Sequence, residues 1–264
     1  MTNVEFVNEC GVELIGALAS DDLVALAAWV SNDRDSSERL EDRKQVQGLI
    51  NFLMRERHTS PFEHGIFIYK VDVPIFVARE FHRHRTFSYN EVSGRYTQMK
   101  PRFYLPGPDR PLVQEGKMGA YTFVKGTEDQ YAFTRRQIEY FTKQNYISYE
   151  SMLSEGIAKE VARMVLPLNL MTQFYATAKP KNLMDFITLR THPTALYEIR
   201  DVAAKMETHL EHYMPITHKA FRNGAVEQEK KEHPVYTVKI MKPEEPDAIA
   251  RLVSKTLEEN RKLT

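Results

Sequence analysis

The chain has 264 residues, enough to bury a core in one large or two small domains. It is 42% hydrophobic and 27% charged, an ordinary globular composition, and 36 basic residues against 36 acidic ones exclude the broad basic excess of a general polyanion binder. A single cysteine, Cys10, excludes an internal disulfide and points to a reducing, cytoplasmic setting.

Residues 4–18 read as one or two short strands, with Cys10 among apolar neighbours as a core residue. No cation precedes Arg34, unlike a secretory leader, and the apolar run 23–30 is too short to cross a bilayer. Ser20, followed by Asp21 and Asp22, predicts a helix N-cap with acid in the first turn. Residues 36–57 read as one amphipathic helix, broken before Pro61, and 65–73 as a mostly buried strand. Pro74 suits the first position of a helix, on which Val77 and Phe81 face the core while Arg79 and Arg83 share another side. The stretch after Arg85 lacks a strong period of its own and reads as a loop that must be ordered by its contacts.

Residues 102–119, rich in Pro and Gly, read as a loop. A long helix fills 127–154 and ends near Gly156. A short helix stops before Pro167, 168–178 is strand-like, Pro180 opens another helix, and Pro193 begins a further one through about residue 212. Composition shifts after Asn223-Gly224, which divides the chain into a domain over 1–223 and an extension over 224–264. In that extension 235–240 reads as a strand and 246–262 as a helix.

Chemistry concentrates in "RHRTFSYNEVSGRY", residues 83–96. Between 79 and 100 five Lys or Arg residues stand against Glu80 and Glu91, a local surplus of three in a neutral chain. His82-x-His84 has the form of a metal-ligand pair, but Arg79, Arg83 and Arg85 oppose a bound cation and no Cys or Asp completes a set, so no metal is expected. Arginine forks match phosphate oxygens, Gly94 admits close backbone approach, and Phe87, Tyr89 and Tyr96 offer flat apolar surface. These suit a nucleotide or dinucleotide cofactor, although neither a Gly-rich dinucleotide fingerprint nor a P-loop is present. From residue types alone, a solvated ion-pair cluster stands level with that reading. A nucleotide-binding regulator without turnover and a small RNA-binding module also remain open.

The spacing carries more. Arg83-His84-Arg85 followed after seven residues by Ser93, with Ser88, Asn90, Glu91, Arg95 and Tyr96 in register, resembles the signature of the flavin-dependent thymidylate synthases. The resemblance extends over residues 5–222, through "HTSPFEHGIF", "EVARMVLPLNLMTQFYAT" and "NLMDFITLR".

That resemblance implies methylation of dUMP to dTMP, with methylenetetrahydrofolate as carbon donor and FAD reduced by NADPH. It implies a mixed α/β fold with an antiparallel-rich sheet, not a Rossmann fold, and a homotetramer whose sites draw on several subunits. Neither nucleic acid nor membrane is an expected partner. It places dUMP on Glu80, Arg83, Glu91, Val92, Ser93, Gly94, Arg95 and Arg163. Arg190 is implied to polarise the N3/O4 edge of the pyrimidine. It places FAD on Ser60, Arg83, His84, Arg85, Glu91, Lys179, Pro180, Lys181 and Asp185. Ser93 is then a ligand-binding serine, and Cys10, outside the motif, has no part as a nucleophile.

Overall fold

The computed structural model describes residues 3–32, 37–117 and 120–229. In chain order the strands and α-helices are β1 (Glu5–Val7), β2 (Gly11–Leu18), α1 (Asp21–Trp29), α2 (Arg43–Arg55), β3 (Ile66–Pro74), α3 (Ile75–Phe81), β4 (Ser88–Glu91) and β5 (Arg102–Tyr104). They continue with β6 (Val113–Lys117), β7 (Ala120–Val124), α4 (Glu128–Ser154), α5 (Lys159–Ala162), β8 (Met171–Ala178), α6 (Pro180–Arg190), α7 (Tyr197–Tyr213) and α8 (Pro215–Glu229).

The main sheet runs β2-β3-β8-β4 and is antiparallel throughout. No parallel crossover joins its strands, so the architecture is mixed α/β and not Rossmann, as expected. β3 alternates as its sequence predicts, burying Phe67, Tyr69, Val71 and Val73. Smaller pairs are the parallel β1-β5 and the antiparallel hairpin β6-β7.

One large core lies among the main sheet, α1, α2, α6 and α7, and a smaller one gathers Phe103, Tyr146, Tyr149 and Leu170 under α4. The caps follow the sequence. Ser20 accepts from Leu23 N, and Thr127 and Gln130 form a reciprocal capping box at the start of α4. Gly156 has φ +80°, a left-handed residue just past the end of α4.

Four expectations need correction. The helix over 36–57 is two pieces: a 3-10 turn at Ser37–Glu41, then α2, restarted by the Asp42 carboxylate accepting from Lys44 N and Gln45 N. The loop over 102–119 contains β5 and β6, whose partners β1 and β7 supply hydrogen bonds that no local period announces. The segment after Arg85 contains β4, an edge strand paired with β8. The helix expected from Pro193 begins at Tyr197, after a turn closed by Ala195 N donating to His192 O.

Residues Met1–Gln228 form one compact unit and Glu229–Thr264 a second. α8 passes through Asn223-Gly224 without a break. The strand and helix expected over 235–240 and 246–262 lie outside the described residues.

Candidate active site

Strand order sets the site. β3 ends at Pro74, paired with Met171 at the start of β8, while β8 ends at Ala178, paired with Phe67 at the start of β3. The helices that follow, α3 and α6, therefore leave from opposite ends of the same ladder. Their last turns meet. Arg190, at the end of α6, donates from Nη1 to Glu80 Oε2 at 2.5 Å and from Nη2 to the Glu80 carbonyl at 3.1 Å. Its Nε donates to His84 Nε2 at 2.9 Å.

Between Phe81 and β4 the chain is held by its own aromatic residues. The Tyr89 hydroxyl donates to the Phe81 and His84 carbonyls at 2.5 and 3.1 Å. Phe87 is buried 5.5 Å from Phe186 of α6, and Phe81 lies 4.9 Å from the same ring. Asn182 reaches across from α6 to the Thr86 carbonyl at 3.3 Å. Ordering by contacts is thus what the structure shows. Phe87 and Tyr89, expected as flat ligand-facing surface, instead support the motif from beneath; Tyr96 is exposed. Arg79 and Arg83 do not share a helical face, because α3 stops at Phe81 with His82 as its C-cap.

Electrostatics at this junction favour a neutral imidazole. Burial pushes the His84 pKa down to about 4, and the Arg190 cation acts in the same direction against the weaker pull of Asp185 and Glu80. His82 faces Tyr89 and Phe174, whereas His84 faces Phe186, so the two rings do not converge. Among the described residues no group of three or more His, Cys, Asp or Glu is placed to hold a metal.

A second cluster gathers four of the residues expected to hold dUMP. Glu91, Val92, Gly94 and Arg163 line a cavity of about 150 Å³. A Cβ on Gly94 would lie 3.2 Å from Arg163 Cδ and 3.0 Å from Met99 Sδ, so glycine lets Arg163 lie against the backbone. Glu91 accepts from the buried Thr172 hydroxyl at 2.6 Å. Arg95 turns away to an exposed ion pair with Glu160 at 3.0 Å. The Ser93 hydroxyl accepts from Arg95 N at 3.3 Å, which gives it a turn-stabilising partner and no base.

The remaining residues lie in the motif, in the 3-10 turn Ser60–Glu63 and at the start of α6. Lys181 and Asp185 form an ion pair along α6 and line a largely apolar cavity of about 670 Å³ with Phe62 and Arg57. Lys179 pairs at 3.1 Å with Glu63, which belongs to the 3-10 turn that begins at the exposed Ser60. Pro180 is buried as the first residue of α6. Arg83 and Arg85 are exposed and, among the described residues, carry no ion pair. A diphosphate-bearing aromatic cofactor fits the chemistry of the cations at 83, 85, 179 and 181, of which Lys181 lines this roomy, largely apolar cavity.

Sequence reasoning missed Thr172, Met99 and Glu160. Thr172 alone left a trace: a hydroxyl at a buried phase of β8, where Phe174, Ala176 and Ala178 are apolar.

A family model described as "Thymidylate synthase complementing protein" matches residues 13–216. The flavin-dependent thymidylate synthase of Streptomyces avermitilis is 46% identical over 232 residues, 84% of this chain and 94% of its own. That of Thermus thermophilus is 38% identical over 216 residues, 82% of this chain and 77% of its own. Among solved structures, a UMP/dUMP methylase, PolB, from Streptomyces cacaoi bound with 5-Br dUMP matches with a TM-score of 0.79 at 40% identity, over 83% of this chain and 97% of that one. Fold and site together define a mixed α/β methyltransferase that works with a flavin, FAD. The chain belongs to the thymidylate synthase complementing protein family, the flavin-dependent thymidylate synthases.

Proposed function

We propose that the chain converts dUMP to dTMP, taking the one-carbon unit from 5,10-methylenetetrahydrofolate and the reducing equivalents from NADPH. The balance is dUMP, methylenetetrahydrofolate, NADPH and a proton going to dTMP, tetrahydrofolate and NADP⁺. The observation that carries this reading is the presentation of Arg190 within the Arg83-His84-Arg85 motif. A guanidinium has five N–H donors, of which Glu80 and His84 engage three, leaving two for a ligand.

Those two donors suit the O4/N3 edge of uracil. A cation there stabilises charge drawn onto that edge and raises electron density at C5, the atom that must attack. A classical route would instead add a thiolate to C6. The single thiol, Cys10, does not suit that role. Burial pushes its pKa up to about 12, with Glu198 and Asp201 adding to the effect and Lys205 opposing it. Cys10 lies with Tyr104 and Glu198 in a different cavity from the motif.

The cavity at Gly94 and Arg163 holds the phosphate end in this reading, with Glu91, Val92, Ser93 and Arg95 on the same segment and Glu80 and Arg83 on the approach to it. Lys179 and Lys181 with Arg83 and Arg85 hold the FAD diphosphate. His84, Glu91, Ser60, Pro180 and Asp185 line the flavin's surroundings. Bound FAD supplies the two-electron relay between NADPH and the one-carbon unit.

At about 150 Å³, the Arg163 cavity is smaller than the roughly 300 Å³ at which small-molecule sites begin. A single copy therefore offers part of the site. This supports a homotetramer in which neighbouring copies complete it. The test is dUMP-dependent NADPH oxidation by the purified yellow protein, with dTMP identified as product. NADPH oxidation without dTMP, or a colourless protein that cannot take up FAD, would overturn the proposal.

A further inference from the structure

Among the functional side chains, Arg190 and His84 make an unusual contact. An arginine Nε is always protonated and can only donate. His84 Nε2, 2.9 Å away, must therefore accept. That is possible in one state of the ring alone, neutral with its proton on Nδ1. The ring is held in that orientation by Phe186, edge-on at 4.8 Å, and by Phe87 at 6.0 Å.

We propose that His84 is a positioning residue for Arg190: as a neutral Nδ1–H imidazole it accepts from Arg190 Nε and, with Glu80, fixes the guanidinium plane that meets the pyrimidine. The role rests on the dUMP reading above and deepens it, adding to any contact His84 makes with flavin. Glu80 alone binds only the two terminal nitrogens, through its carboxylate and its carbonyl. Those two bonds leave the guanidinium free to tilt about their line. The bond at Nε is the third point that removes the tilt. Loosening a group that must meet a reacting ring by an ångström costs up to about a hundredfold in rate.

Two variants separate positioning from bulk. His84→Gln keeps an oxygen acceptor at comparable reach, and His84→Leu keeps volume without an acceptor. The kcat for dTMP formation at saturating dUMP should fall about tenfold or more in His84→Leu at equal flavin content. His84→Gln should recover most of that loss. Equal impairment of both variants, or a loss in His84→Leu that tracks lost flavin, would overturn the proposal.

A spectroscopic reading needs no turnover. Nitrogen-15 spectra of histidine-labelled full-length protein, without substrates, should show His84 at neutral pH as the Nδ1–H tautomer with a hydrogen-bonded Nε2. Arg190→Lys should shift that Nε2 signal. An Nε2–H tautomer or an imidazolium would overturn the positioning role, whether or not the chain makes dTMP.

Discussion

Arg190 engages three of its donors inside the protein before any ligand arrives, and its partner His84 is kept neutral first by burial and then by the Arg190 cation. This has a consequence for stability. An unfolded histidine takes up a proton near its ordinary 6.5, whereas the folded His84 resists until about pH 4. Between those values the unfolded chain binds more protons, so the contribution present above pH 6.5 is lost as pH falls toward 4. Urea midpoints followed by the fluorescence of Trp29, the single tryptophan, should therefore fall over that window, and His84→Gln should flatten the slope. Identical slopes would show that His84 titrates normally. Cys10 gives the opposite prediction: with its thiol held protonated and its cavity elsewhere, Cys10→Ala should fold and keep near-normal dTMP formation. Complete loss in a folded variant would revive a thiol route.

The aromatic floor beneath the motif belongs to α6 as much as to α3. Phe186 touches Phe81, His84 and Phe87, and truncating so central a ring typically costs about 3–5 kcal/mol. Phe186→Ala should lower the unfolding free energy from urea titration by that order and weaken retention of flavin and dUMP together. Gly94→Ala should act more narrowly: its methyl group presses on Arg163 and Met99, so dUMP affinity should drop with little change in stability. Unchanged affinity would separate Arg163 from the substrate. These elements differ in how far the sequence discloses them. Helices with side-chain caps, such as α4 behind Thr127, and the alternating β3 can be read from local pattern. β4, β5 and β6 cannot, because strands of three to five residues owe their existence to their partner strands. The same limit applies to the site. Residue spacing reveals the motif, and the family resemblance points to Arg190, but neither shows that Glu80 and His84 share Arg190, nor that Arg95 turns to Glu160.

The molecule as a whole exposes more apolar surface than one copy needs. The 27 residues of α4 bury only Thr142, Tyr146 and Tyr149, while Phe133, Tyr140, Phe141 and Ile147 are each more than half exposed. Contiguous apolar surface of this kind marks an interface. In the proposed homotetramer α4 faces another copy, and Phe141→Glu should reduce both the sedimenting mass and dTMP formation. An unchanged tetramer with full turnover would move the interface elsewhere. No helix among the described residues is long and apolar enough to cross a membrane. The central claim is that a fixed guanidinium, with no help from sulfur, activates the pyrimidine. It is tested most directly by measuring dTMP made by Arg190→Ala and by the parent protein at matched FAD occupancy, with all three co-substrates present. The account predicts a yellow variant that makes no dTMP beside a fully active parent; turnover near the parental rate in that variant would contradict it.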